Sequence, residues 1–254
     1  MAPGMSLCLW VVLSGAGLDA TPLTTVDPGH TFVEANNRYD AGEYAVASDL
    51  LRQLVASGIQ NGHVCYNLGN SELRAGRVGK AITAYLAARG LLPRDSDIRA
   101  NLEFARKLTK DALAPPSPNP VVRTLFFWHY SLSQRELLWL LVLINLGVFA
   151  ALTVLLYRRD SEVLRWSVAA LLLLLVAIGA SAAIRTVAPT RVAVVLEREV
   201  DVHSGTHRDT VVRFKLHEGT EATVTDSQAG WVRIELPEDK QGWVADDEIS
   251  VVEW

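Results

Sequence analysis

Three hydropathy regimes succeed one another along the 254-residue chain. Up to about residue 113, apolar positions recur three and four apart, which predicts helices that each bury one face. Leu137 to Tyr157 (LLWLLVLINLGVFAALTVLLY) and Trp166 to Ile184 (WSVAALLLLLVAIGASAAI) then run without a charge. From Val192 the period drops to two, in VAVVL (192–196), ATVTD (222–226), WVRIEL (231–236) and GWVADD (242–247), with Gly, Asp and Pro turns between them. That spacing predicts the strands of a small antiparallel barrel over 192–252. The expected fold class is multidomain α plus β. Helices occupy 28–113 and a proline-rich linker with an interfacial segment occupies 114–135. Two long apolar helices follow at 137–157 and 166–184, joined by a loop at 158–165, and the barrel ends the chain.

Within the first regime a 34-residue register is visible. Ala35, Gly42, Ala47 and Leu51 are answered by Gly69, Gly76, Ala81 and Tyr85. A small residue is needed where two helices of a pair cross most closely (Ala35 or Gly69), and another on the returning helix (Ala47 or Ala81). Gly42 and Gly76 supply the left-handed turn between them. This period identifies tetratricopeptide repeats, helix pairs that stack into an α-solenoid whose usual task is to hold another protein. Pro93 stops the second pair. Asp95 to Leu108, with Ile98, Leu102 and Ala105 at helical spacing and Asp95 or Ser96 as cap, predicts a closing helix. APPSPNP (114–120) reads as a stiff spacer.

The two uncharged stretches, 21 and 19 residues long, are each long enough to cross a bilayer, the first reaching roughly 30 Å. Two crossings return the chain to the face it left, so both soluble parts share one compartment. Arg158, Arg159 and Arg165 crowd the short connection, which places it in the cytoplasm and the N- and C-terminal domains outside it. Leu7 to Val12, followed by Ser14-Gly15-Ala16, reads as a signal peptide over 1–20, although no Lys or Arg precedes the apolar run. Phe126, Phe127, Trp128 and Tyr130 stand at headgroup depth before the first crossing, and Ser133 with Glu136 has capping-box spacing.

A formal charge of −4 and the lack of a basic stripe exclude a nucleic-acid partner. Cys8 and Cys65 are the only cysteines, so neither a disulfide framework nor a thiolate cage is available. His203, His207 and His217 fall on predicted loop and strand, where a four-residue spacing does not align rings on one face, so no metal site is expected. His63 and Cys65, two apart on a helix, point away from each other. Asp246, Asp247 and Glu248 read as a solvated turn. No phosphate-binding glycine loop or serine elbow occurs, and neither a cofactor nor enzymatic activity is expected. The candidate binding residues are Asn36, Asn67, Asn70 and Asn101 on the first helices of the pairs. Their amides suit the backbone of an extended peptide, and they equally suit contacts with the neighbouring repeat. Repeats that clamp a terminal carboxylate carry Lys or Arg where this chain has Phe32 and Asp97.

Two resemblances cover most of the chain. FKLHEGTEATVTDSQAGWVRIELPEDKQGWVADDEI resembles bacterial SH3-type domains, with Gly219 turning into a strand, Trp231 opening the next and Gly242-Trp243-Val244 marking the one before the last turn. That likeness implies binding of a peptide, a partner or peptidoglycan, with Trp231 and Trp243 as core and rim packing. The order of parts, together with YNLGNSELRAG, DSDIRANLEFAR, FFWHYSLSQRE and GWVADDEI, resembles the BatE proteins of aerotolerance (Bat) operons. The resemblance implies a non-enzymatic component of the bacterial inner membrane. It would act beside MoxR-type ATPases and membrane proteins with von Willebrand A domains, as a scaffold or, alternatively, as a cell-wall sensor or tether.

Overall fold

The computed structural model describes residues 27–111, 113–116 and 119–253; the expected leader lies outside them. Five helices come first: α1 (Pro28–Asp40), α2 (Tyr44–Ala56), α3 (Gly62–Arg74), α4 (Val78–Leu91) and α5 (Ser96–Arg106). The 34-residue register extends to their caps. The side chains of Asp27, Asn61 and Asp95 each accept a hydrogen bond from a first-turn amide of α1, α3 and α5. The expected closing helix is α5, and its cap Asp95 falls in the same register as Asp27 and Asn61. Gly42 and Gly76 adopt φ of +80° and +77°, as the turn between paired helices requires. At Gly69 a Cβ would sit 2.5 Å from the Tyr85 ring, and Ala35, Ala47 and Ala81 are fully buried. A buried carboxylate, Glu72, ties the pairs together: it receives Arg52 from α2 and Arg77 from the α3–α4 turn, and Arg77 also donates to Ser48 Oγ at 2.7 Å.

The C-terminal part is one antiparallel sheet of seven strands: β1 (Arg191–Val195), β2 (Glu199–His203), β3 (Val212–His217), β4 (Glu221–Gln228), β5 (Trp231–Glu235), β6 (Gln241–Ala245) and β7 (Ile249–Glu253). Their order is β3-β2-β6-β5-β4-β1-β7, so β3 and β7 are edges and the sheet is open. This corrects the closed barrel expected from the alternating runs. The reason lies in β1, where Val192 to Val195 are all buried. Ala193 and Val195 face the sheet's own core, while Val192 and Val194, with Val252 of β7, pack against Ala81, Ile82, Tyr85 and Leu86 of α4. A helix therefore covers the surface beside the β7 edge, and VAVVL is the continuous apolar run of a strand covered on both faces.

Further bonds join the helices to the sheet. Arg106 makes a two-pronged pair with Glu221, at 2.6 and 2.8 Å, and their side chains are 14% and 5% exposed. The Gly79 amide donates to Glu218 Oε1 at 2.9 Å, and a Cβ on Gly79 would meet the Val195 carbonyl oxygen at 2.4 Å. Asp111, just past α5, accepts from the His217 amide and ring and from the Thr220 hydroxyl at 2.8, 2.8 and 2.6 Å. Burial alone would raise the Asp111 carboxyl, but the bonds from Thr220 and His217 outweigh it and hold the group below the usual carboxylate range.

Between these parts lie α6 (Pro120–Leu125), α7 (Phe127–Ser131), α8 (Gln134–Tyr157) and α9 (Glu162–Val187). The sequence reading left 114–135 without helices. Asn119 as cap and Pro120 at the first helical position were the available signal for α6. The Ser133–Glu136 capping box forms at the start of α8. The helices α8 and α9 pair through Leu137, Ile144, Val148 and Ile178. Each is long and apolar enough to cross a membrane, with a mean hydropathy of 2.5, and the protein buries only 17% and 22% of their apolar windows. A core helix of a water-soluble domain would be covered on most sides. The one ion pair described between this hairpin and the first five helices joins Arg94, in the α4–α5 turn, to Glu136.

Candidate partner-binding groove

The helices α1, α3 and α5 lie side by side, and the four asparagines meet across them. Asn67 Nδ2 donates to Asn36 Oδ1 at 2.9 Å. Asn101 Nδ2 donates to Asn70 Oδ1 at 2.9 Å and to the Tyr66 hydroxyl at 3.0 Å. Each Asn–Asn bond spans 31 residues, and moving the first along by one repeat yields the second. The amides thus act first as rungs between neighbouring copies, one of the two roles open to them from sequence. Asn70 Oδ1 also receives the Tyr85 hydroxyl at 2.8 Å. Burial, with Tyr66 beside it, pushes the Tyr85 phenol well above its ordinary range, so it stays a protonated donor to that rung.

A cavity of about 230 Å³ opens over the α1–α3 rung, lined by Asn36, Tyr39, Asp40, Asn67, Asn70 and Ser71. Asn101 is not part of its wall. After the rungs are made, Asn36 Nδ2, Asn67 Oδ1 and Asn70 Nδ2 have no partner among the described residues. Two donors and an acceptor thus remain on residues that line one space, the set an extended peptide backbone needs. The wall residues Tyr39, Asp40 and Ser71 were not singled out from sequence. Tyr39 and Asp40 follow Asn36 by three and four positions, the spacing that shares a helix face, and that was the usable signal.

No family model matches the chain, and no curated protein matches it significantly. The reading of the groove therefore stands on its geometry.

A second cavity, of about 240 Å³, lies among α5, the segment after it and the β3–β4 turn, and includes Glu103, Arg106, Asp111, Thr220 and Glu221. Its ionic groups are largely satisfied by one another, which makes it a joint between helices and sheet. The histidines lie apart in function. His203 Nδ1 lies 3.2 Å from the Thr210 carbonyl with its ring edge-on to Trp231, His207 sits in the β2–β3 loop, and His217 serves Asp111. Among the described residues no group of three or more His, Cys, Asp or Glu side chains could hold a metal ion. Cys65 is buried against Ala88 and Ile98. Trp231 and Trp243 are half-buried on β5 and β6, and Asp246–Glu248 form a 3₁₀ turn before β7.

Proposed function

We propose that this chain is a non-enzymatic membrane adaptor that holds an extended segment of a protein partner in the groove over Asn36, Asn67 and Asn70. The observation that carries the reading is the cavity over α1 and α3, lined by three asparagines whose amides keep unused donors and an acceptor after the rungs are made. In this reading, the helices are a short tetratricopeptide-type solenoid and the sheet is a variant of the SH3-type domain. The in-register caps, glycine turns and asparagine rungs support the first. The 3₁₀ turn before β7, and the pairing of β7 with β1, support the second.

The helical hairpin α8–α9 spans the bilayer in this reading. Because α4 and β1 share a core, the helical layer and the sheet must occupy the same compartment, a condition that two crossings meet. Arg158 and Arg159 between the spans favour the cytoplasm for that turn and an extracytoplasmic position for both soluble parts of a bacterial inner-membrane protein. The BatE-like order of parts suggests the partner: a membrane protein with a von Willebrand A domain, in a MoxR-linked system of envelope stress tolerance.

The test is a photo-crosslinking amino acid placed at Asp40, or at Trp243, in the full-length protein in living cells. Adducts at Asp40 with a protein carrying a von Willebrand A domain are expected. Adducts with cell-wall material at Trp243, and none at Asp40, would replace the adaptor by a wall tether.

A further inference from the structure

Just ahead of α8, five large apolar side chains are exposed within seven consecutive residues: Val121, Val122, Leu125, Phe126 and Phe127, with Val121, Leu125 and Phe127 at 65%, 63% and 61%. Single exposed apolar residues are ordinary on a protein surface, but a contiguous group of this kind marks a surface that water does not cover. The chain also fixes where this group points. His129 Nδ1 lies 2.7 Å from Ser181 Oγ on α9, Arg185 Nη1 donates to the Leu132 carbonyl at 2.8 Å, and Trp128 packs into the cluster that joins α8 to α9. The residues that follow the segment, Trp128 to Leu132, are therefore tied to the end of the hairpin.

From this we infer that α6 and α7 form a membrane-surface elbow, in which Val121, Val122, Leu125, Phe126 and Phe127 lie in the interfacial layer of the same bilayer that α8 and α9 cross. The occupant of the patch is lipid because the patch is continuous with the exposed apolar flank of the hairpin, where Leu138, Trp139, Val142 and Leu143 also stand free of protein cover. Arg123 adds a cation within the same six-residue helix, suited to anionic headgroups while the apolar residues sink among the acyl chains. The functional content is positional. An elbow held at the surface prevents the proline-rich segment before it from acting as a loose tether, and it keeps the Arg94–Glu136 contact, and so the base of the helical layer, close to the headgroups.

The inference rests on the two-span reading, and the test separates the two. Single cysteines at Val121, Leu125 and Phe127, and at Leu143 in α8 and Val33 in α1 as references, carry a nitroxide label in the full-length protein. The background is Cys8→Ser, with Cys65 left in place because its burial raises the thiol and shields it from reagent. The protein is reconstituted in vesicles of phosphatidylethanolamine and phosphatidylglycerol. Labels at 121, 125 and 127 should relax more with oxygen than with a water-soluble nickel chelate, and the label at 33 should show the reverse order. Lipid contact at 143 with aqueous contact at 125 and 127 would overturn the elbow and leave the spans intact. Aqueous contact at 143 would overturn the spans and the elbow together. Exclusion of both relaxants at 125 and 127 would mean that protein covers the patch, and would overturn the elbow as well.

Discussion

The helical layer is joined to its two neighbours in contrasting ways. Toward the sheet it shares an apolar core across α4, β1 and β7, a nearly buried ion pair between Arg106 and Glu221, and the Asp111 bonds to β3 and the following turn. Toward the apolar hairpin α8–α9 the ion pair among the described residues is Arg94–Glu136, whose side chains are 61% and 39% exposed. An exposed pair of this kind contributes at most about 1 kcal/mol, whereas breaking a buried pair on one side costs about 3–5 kcal/mol. Distance along the chain therefore misleads. The sheet, separated from the helices by the whole hairpin, is bound to them more strongly than the hairpin that lies nearer in the chain.

This contrast can be broken from its strong side first. Val194→Asp places a carboxylate in the core shared by α4 and β1 and should destabilise the protein by more than about 4 kcal/mol. Denaturant unfolding followed by both far-ultraviolet dichroism and tryptophan fluorescence should show helices and sheet losing stability together. Unchanged helical stability would mean that the two fold separately. Glu221→Ala leaves Arg106 buried without its main partner, and a loss of about 3–5 kcal/mol is expected in the same measurement. An effect below that of an exposed pair would remove the joint from the account.

Smaller effects sharpen the comparison. Asp111 has its carboxyl held below the usual range in the folded protein, so its bonds stabilise the fold above the unfolded carboxylate pKa near 4. That contribution fades as the pH falls through the depressed folded value. Asp111→Asn should cost about 1–2 kcal/mol at neutral pH and progressively less in acid, so that the stability curves of variant and parent converge there. At the weak end, Arg94→Ala should change stability by less than about 1 kcal/mol. A larger loss would show the hairpin to be as firmly seated as the sheet.

How much of this was legible in the chain depended on whether a signal was local. Turns at Gly42 and Gly76, the tight crossing at Gly69, the cap at Asp95 and the capping box at Ser133 were all readable, because each depends on residues within one repeat or one helical turn. Of the sheet, β1, β4, β5 and β6 were expected within a residue or two of their ends. The strands β2, β3 and β7 were not singled out, although EVDVH and VRFKLH alternate strictly between polar and apolar positions and that was the usable signal. The open sheet was not foreseen because its cause is tertiary: α4 takes the place beside β7. VAVVL carried that information, since a run with no polar alternation needs cover on two faces. For the groove, residue types were visible and their mutual bonding was not. Asn36 and Asn67 are 31 residues apart, and only the stacking of α1 on α3 brings them to 2.9 Å.

The strand β1, apolar on both faces, also sets the order in which the molecule can be completed during synthesis. Ile82 and Leu86 leave the ribosome well before the valines that cover them, and the two longest helices are made in between. The helical layer must wait, partly uncovered, until the hairpin has been made and the C-terminal strands arrive. Until then the nascent chain carries bare apolar surface on α4, so the helical layer is completed only when the last strands have been made.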